Sequence, residues 1–409
     1  IKDIAVKIKE EVGDKYLNAD HDEMIAFFRK EGTKFELQKI KDILVRFEIE
    51  TTASNLVKLF PPFLSGERCL KCGSAIAIPF QSKSHSIRYN DSQKHCYKCG
   101  HQEVPFCQCE TCVKERMEMQ RLEKERLEEI RERKRQLLCD YYNEDNWEMV
   151  LETDLSLEDR LYLAVIFRGA LSEDTSYIKP LEEIRGNIAP TPEFEREIIK
   201  TLTGRNILVP SLRSNLNDFE IEYLSEDEDQ RKISYYTYQV HYRLNVMPED
   251  FDNDAMIKRL MYPYLSEEQG FEDFCYRMWR RVALDECLQY LLYQMRKVSY
   301  TFNPGEKTIR VFEELLDHFS VSQIYNIIYR SIANSTQRYQ ANEITKIHAQ
   351  NSVITACESY GQRAITNGWN LNSYSRLKDL PETSISKVFF TSVMQIAELG
   401  FTEKPTTDF

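Results

Sequence analysis

The chain has 409 residues, with 54 Lys and Arg against 66 Asp and Glu, and its net charge is −12 at pH 7 with histidine neutral. No apolar run approaches the roughly 20 residues that a membrane-spanning helix needs, so we expect no membrane segment. Eleven cysteines without a recognisable secretory leader favour a metal site in a reducing, cytoplasmic protein over a disulfide scaffold. This length predicts several modules, and the apolar spacing predicts a mainly α, multi-domain protein.

The negative charge is concentrated in one part of the sequence. Residues 139–270 carry 13 basic against 28 acidic residues, whereas residues 1–112 carry 17 against 16. A uniformly acidic protein would repel phosphates, but this sequence is acidic in one segment only. Nucleic acid therefore stays open as a partner of the N-terminal part, and we expect a protein partner at the acidic segment. No small-molecule substrate is indicated.

Residues 1–62 predict a helical module. Two helical stretches are broken at Gly32 and Thr33, and their apolar residues recur at helical spacing. The pair resembles a helix-turn-helix, which implies that Lys39 and Arg46 of the second helix face phosphates. A plain helical hairpin with a solvated basic face accounts for the same pattern.

Residues 63–112 contain two Cys-x-x-Cys pairs, each followed by glycine. The four thiols are Cys69, Cys72, Cys96 and Cys99. Two such turns supply the tetrahedral sulfur ligands that Zn²⁺ prefers. The stretch resembles the zinc-ribbon family, which implies a small β-sheet around one structural zinc ion. Four thiolates leave no position for water or substrate, so the pattern predicts a fold and not a reaction.

A second cysteine cluster follows directly. Cys107, Cys109 and Cys112 lie within six residues and predict a second Zn²⁺ site, with His101 or Cys139 as the fourth ligand. Glu103 and Glu110 are weaker candidates, because structural zinc sites prefer sulfur and nitrogen ligands. The spacing does not fix that ligand. Spare thiols beside the next helix are the alternative.

The region around the first cysteine pairs is rich in basic residues. Lys83, Arg88, Lys94 and Lys98 are candidate nucleic-acid-binding residues, because cations attract phosphates and neighbouring aromatic rings can stack on bases. Zinc ribbons also serve as protein docking elements, so a solvated or protein-binding loop is the competing interpretation.

Residues 113–138 contain no glycine or proline and predict a solvent-exposed charged spacer helix. Residues 139–248 predict two helices and then β-rich sequence, an order that resembles a winged helix. Ser156 and Asp159 mark the start of the first helix. The second helix begins with Glu193 and Glu195, which would repel DNA, so we expect this acidic module to contact protein.

Residues 249–409 predict a helical domain. Arg330 and Arg338 lie next to Tyr329 and Tyr339, a grouping that fits either a nucleic-acid surface or a core stripe with solvated arginines. No phosphate-binding loop, nucleophile elbow or zinc-protease motif occurs in the sequence, so no catalytic residue is assigned.

Taken with the cysteine clusters, these patterns predict a non-catalytic, zinc-containing, nucleic-acid-binding subunit or scaffold of a larger assembly, with DNA as the expected ligand. The first alternative is a purely protein-binding adaptor whose zinc ribbon is a docking element. The second is an enzyme, for example a nuclease, with an active site that no motif reveals.

Overall fold

The computed structural model of the protein describes residues 50, 52, 63–78, 94–223 and 231–407. The helices predicted within residues 1–62, with Lys39 and Arg46, lie outside these ranges, as do Lys83 and Arg88. The described residues form ten α-helices and nine short strands, which confirms a mainly helical protein with a few small sheets.

The chain divides into two compact units, residues 1–132 and residues 133–409. The finer division into five segments remains a prediction. No helix in the described part of the chain is both long and apolar enough to cross a membrane.

The first unit contains a small antiparallel sheet. Its strands are β1 (Phe63–Arg68), β2 (Ala75–Ile78) and β3 (His95–Cys96), with β2 in the centre. Ile76 pairs with Cys96 and Ala77 with His95, so the register fixes the second cysteine turn beside the central strand. This sheet positions the cysteine-rich site.

Helix α1 (Glu110–Tyr141) has 32 residues and extends the predicted spacer helix by three residues at each end. Intrahelical ion pairs support it, among them Arg121 with Glu118 and Glu125. Such solvent-exposed pairs contribute little, so the uninterrupted run of good helix formers is the main local cause of the helix. Residues up to Glu132 belong to the first unit and the remainder to the second.

The second unit begins with two helices and several short strands. The elements are β4 (Val150–Leu151), α2 (Leu157–Ala170), α3 (Pro192–Gly204), β5 (Leu208–Pro210), β6 (Phe219–Tyr223), β7 (Arg231–Tyr235), β8 (Tyr242–Leu244) and β9 (Val246–Met247). The predicted cap of α2 is present, because Ser156 accepts from the Asp159 backbone and Asp159 accepts from the Ser156 backbone. Thr191 caps α3, with Pro192 in its first turn.

The strands of this part pair across long sequence distances. β5 is antiparallel to β8, and Ile178 forms a bridge to Tyr242 on the other side of β8. The β6–β7 hairpin lies between β5 and β8 in the sequence, and β4 pairs in parallel with β9.

The remaining helices are α4 (Asn253–Met261), α5 (Phe271–Lys297), α6 (Glu306–Leu316), α7 (Val321–Gln340), α8 (Lys346–Thr366), α9 (Ser384–Lys387) and α10 (Leu399–Thr402), with a π-helical turn at Val388–Val393. Helix α5 carries buried residues on most of its circumference, among them Cys275 and Cys287. Buried side chains from Leu138 to Phe401 form one hydrophobic cluster in the second unit.

Candidate metal centre

The two Cys-x-x-Cys-Gly turns have the same local structure. The Gly73 backbone N–H donates to the Cys69 carbonyl at 2.9 Å, and the Gly100 N–H donates to the Cys96 carbonyl at 2.9 Å. Both glycines have positive φ, 70° at Gly73 and 68° at Gly100, a region that strains residues with a Cβ. Each glycine therefore closes a tight turn that directs its two cysteines to the same side.

The turns bring four sulfur atoms together. Cys69 Sγ lies 3.7 Å from Cys99 Sγ, and Cys72 Sγ lies 3.3 Å from Cys96 Sγ. All four Sγ atoms lie within 4.8 Å of one another. A tetrahedral site with metal–sulfur bonds of about 2.3 Å has sulfur–sulfur edges of about 3.8 Å, so this group could hold a metal ion.

Backbone groups also support the sulfur atoms. The Lys71 N–H points to Cys69 Sγ at 3.4 Å, and the Cys99 N–H points to Cys96 Sγ at 3.4 Å. Such donors stabilise thiolates and orient ligands around an ion. Among the described residues, Ile76 packs against the buried Cys69 and Cys96. An ion bound by the four sulfur atoms would therefore join both cysteine turns to the central strand.

A second group lies directly after the first. His101 Nδ1 is 3.2 Å from Cys112 Sγ and 3.7 Å from Cys109 Sγ. With Cys107, the four ligand atoms lie within 4.8 Å of one another, and all four residues are buried. Cys139, Glu103 and Glu110, the other candidates for the fourth ligand, are not in this group. The structure thus places His101 beside the three cysteines, whereas the sequence left the fourth ligand open.

His101 links the two groups. Its backbone carbonyl accepts from the Cys96 N–H at 2.7 Å, which closes the second turn of the first group. Its imidazole faces the second group, where Cys109 immediately precedes α1 and Cys112 lies in the first turn of that helix. Thiolates at this position benefit from the partial positive charge of the helix N-terminus.

The thiols differ in their ease of ionisation. Hydrogen bonds from the side chain and backbone of Ser74 lower the pKa of Cys72 to about 6. Burial raises the pKa of Cys99 to about 12. Burial likewise raises the pKa of Cys112 to about 11. A bound cation removes such differences, because coordination requires and stabilises the deprotonated form of every thiol ligand.

The predicted basic residues of this region differ in whether their charge is free to bind an external phosphate. Lys94 donates to both carboxylate oxygens of Glu67, at 2.8 and 2.9 Å. Lys71 forms an ion pair with Glu115 at 2.5 Å. Lys98 is exposed and has no ion pair with any residue that the structure describes. Of the described candidates, Lys98 is the one directed to solvent.

Sequence reasoning missed three exposed apolar side chains beside the cysteine groups. Leu70 and Tyr97 occupy equivalent positions in the two turns and are 82% and 62% exposed, and Phe106 is 78% exposed. The signal was present in the turns themselves. When both cysteines of a Cys-x-x-Cys turn direct their sulfur atoms to one site, the residue after the first cysteine, Leu70 or Tyr97, faces solvent.

Comparisons with known proteins give two short matches. The chain is 41% identical over 49 residues to an arginine–tRNA ligase of Geobacillus thermodenitrificans, and 39% identical over 49 residues to the arginine–tRNA ligase of Bacillus licheniformis. These matches span 12% of this chain and 9% of each ligase. No protein family matches the sequence, and no solved structure matches it.

Proposed function

We propose that this protein is a non-catalytic, zinc-containing subunit or scaffold of a larger cytoplasmic assembly, and that its cysteine-rich head binds nucleic acid, with DNA as the expected ligand. The head is defined as residues 63–112. The observation that carries the proposal is the pair of four-ligand groups, Cys69, Cys72, Cys96 and Cys99, and His101, Cys107, Cys109 and Cys112.

Zinc is the metal that best suits these ligands. Sets of four thiolates, or of three thiolates and one imidazole, are typical of structural Zn²⁺ sites. Each group already offers four protein ligands, which fill a tetrahedral shell. The ions would therefore hold the head in its fold and would not activate water.

Nucleic-acid binding is supported by the outer surface of the second turn. Tyr97 and Lys98 are adjacent and exposed, so a base can stack on the ring while a phosphate approaches the ammonium group. The sequence adds Lys83 and Arg88 in the stretch between the two turns. Lys94, in contrast, is engaged by the Glu67 carboxylate.

A protein partner is proposed for the acidic segment, residues 139–270. The order of α2, the Ile178 bridge, α3, β5, the β6–β7 hairpin and β8 supports a winged-helix interpretation. The first turn of α3 carries Glu193 and Glu195, which disfavour DNA at the helix that winged helices usually place in the groove. Such a module fits a basic protein surface better.

A second candidate function is that of a protein-binding adaptor. The exposed Leu70, Tyr97 and Phe106 favour it, because apolar side chains around a rigid metal-bound turn are typical of docking elements. The two functions differ in whether the head has any affinity for nucleic acid.

The metal content of the purified full chain tests the first part of the proposal. Two zinc ions per chain are expected by elemental analysis, and Cys109→Ser should reduce the count by about one, because it removes one of four ligands from the second group. Cys139→Ser is the matched control and should leave the count unchanged. Less than one zinc per chain in protein never exposed to chelator would contradict the proposal.

Salt-dependent binding of labelled DNA tests the second part. Changing Lys83, Arg88 and Lys98 together to alanine should make the slope of log K against log salt concentration less steep. The change should be about 0.7 per lost phosphate contact for a single strand or about 0.9 for a duplex. Zinc content should stay at the wild-type level. Lys124→Ala, a change of an exposed lysine on α1, is the control and should bind normally. If the triple variant has the same affinity and salt slope as this control, the three residues of the head do not contact phosphates.

A further inference from the structure

Residues 321–378 form the part of the second unit with the fewest acidic residues. They carry six Lys and Arg against two Asp and Glu, and α7 contains no acidic residue. Both acidic side chains are engaged, Glu343 with Arg338 at 3.3 Å and Glu358 with Lys307 at 3.4 Å. In a chain of net charge −12, this segment is locally positive, which is the charge pattern that attracts phosphate.

Two arginines and two aromatic rings of this segment meet at one place. Arg330 of α7 and Arg363 of α8 each have their guanidinium carbon 5.9 Å from the centre of the Tyr360 ring. The Trp369 ring lies 5.7 Å from Tyr360, centre to centre, at an angle of 57°. We call Arg330, Tyr360, Arg363 and Trp369 the arginine–aromatic surface.

The two arginines of this surface have no carboxylate partner within the described ranges. Arg363 Nε donates to the Ser359 carbonyl at 3.2 Å, one turn back in its own helix. Many other arginines of the second unit are paired with acids: Arg196, Arg205, Arg259, Arg280, Arg281, Arg310, Arg338 and Arg376. Arg330 and Arg363 are both exposed, so their charge is available to an external anion.

The backbone at Trp369 is held in place while its indole remains accessible. Helix α8 ends at Thr366, Gly368 takes a positive φ of 61°, and the Trp369 N–H donates to the Ala364 carbonyl at 2.8 Å. This is a glycine-terminated helix end, which fixes the direction of the following residue. Trp369 is nevertheless 43% exposed and lies outside the hydrophobic cluster. A large apolar ring in this setting is a preformed stacking platform.

We propose that the arginine–aromatic surface binds single-stranded nucleic acid, with phosphates at Arg330 and Arg363 and an unpaired base stacked on Trp369. Arginine recognises phosphate with two parallel donors, and an indole face stacks on any base. A single strand offers free base faces that a duplex does not. This surface belongs to the second unit, and none of its residues belongs to the head defined above.

Binding of fluorescein-labelled oligo-dT and oligo-U to the full chain tests this surface. Changing Arg330 and Arg363 together to alanine should lower the slope of log K against log salt by about 1.4, the sum of two single-strand phosphate contacts. The matched control changes Arg196 and Arg310 to alanine. It removes the same charge from exposed arginines that already have acidic partners, so its slope should stay at the wild-type value.

The Trp369→Leu variant separates the contribution of base stacking to affinity from that of charge. It should weaken binding roughly 5- to 150-fold while leaving the salt slope unchanged, because stacking on one base is sequence-tolerant and releases no counterion. Photo-crosslinking to a bromodeoxyuridine strand should label the peptide that contains Trp369. Wild-type affinity in both the Trp369 variant and the double-arginine variant would overturn the proposal.

The test also distinguishes this surface from the head. If only the Lys83, Arg88 and Lys98 variant loses affinity, the head binds nucleic acid and the inference about the second unit is wrong. If only the double-arginine variant loses affinity, the proposed role of the head is wrong and the inference stands. Competition by polyglutamate as effective as that by unlabelled oligo-dT would identify an acidic-protein surface and would also overturn the inference.

Discussion

At the scale of single residues, the second unit is held by buried carboxylates that each have a specific partner. Glu152 is 4% exposed and accepts from Arg259 Nε at 2.8 Å, from Arg259 Nη2 at 2.7 Å and from the Glu249 N–H at 3.1 Å. The Arg259 hydrogen bond lowers the pKa of Glu152 and outweighs the effect of burial. The contact ties the turn after β4 to helix α4.

We predict that Glu152→Gln lowers the free energy of unfolding at neutral pH by about 1–2 kcal/mol, a value reduced because Arg259 is partly exposed. The pKa is lowered in the folded state, so the carboxylate stabilises the fold above its ordinary pKa of about 4 and loses that effect as pH falls through the folded-state value. The difference in free energy of unfolding between wild type and variant should therefore become smaller in acid. Urea unfolding at neutral and acidic pH measures it.

Glu267→Gln is the matched control, because Glu267 is exposed and forms no ion pair within the described part of the chain. It should unfold like wild type at every pH. If the free energies of unfolding of wild type and Glu152→Gln differ by the same amount down to strongly acidic pH, the carboxylate charge is not the source of the stabilisation.

At the scale of elements, the sequence predicted what local chemistry determines. The start of α2 follows from Ser156 and Asp159, as the structure confirms. Helix α3 likewise has a proline in its first turn, at Pro192, and a glycine as its last residue, at Gly204. Caps and helix-terminating glycines act within four residues, so their signals can be recognised without tertiary information.

Elements that depend on distant contacts were not predicted. Residues 386–401 belong to the predicted helical domain, but the structure has there a π-helical turn, positive φ at Gln395 and Ala397, and then α10. The Trp279 indole donates to the Gly400 carbonyl at 2.9 Å, and Phe390 packs where a Gly400 side chain would lie. Packing against α5 has overridden the local helix preference.

The same distinction applies to the candidate sites. The first cysteine group follows from two regular spacings, whereas the choice of His101 over Cys139 depends on how the Cys96 turn folds. The arginine–aromatic surface has no compact sequence signal, because Arg330 and Arg363 lie on different helices. Arg363 is three residues from Tyr360 on α8, but only the packing of α7 against α8 brings Arg330 to the same ring.

At the scale of the whole molecule, the two units differ in what stabilises them. The described hydrophobic clusters of residues 63–112 consist mainly of cysteines, with Ile76 in one and Val104 beside the other. The second unit has one large buried cluster. Metal ions held at the two ligand groups, as proposed above, would therefore stabilise residues 63–112, whereas apolar burial stabilises the second unit. All three tryptophans, Trp147, Trp279 and Trp369, lie in the second unit.

We therefore predict that a zinc chelator unfolds the head and leaves the second unit intact. Trypsin should then cleave rapidly within residues 63–112, because the ligands no longer hold the turns. Tryptophan emission, and the melting temperature that it reports, should stay within about 2 °C of the metal-loaded value. Cys72→Ser should show the same cleavage without chelator, and Cys275→Ser, a change in the buried core of the second unit, should lower the tryptophan-detected melting temperature instead. If chelation alone lowers that temperature by as much as Cys275→Ser does, the second unit depends on the metal sites and the two units do not fold independently.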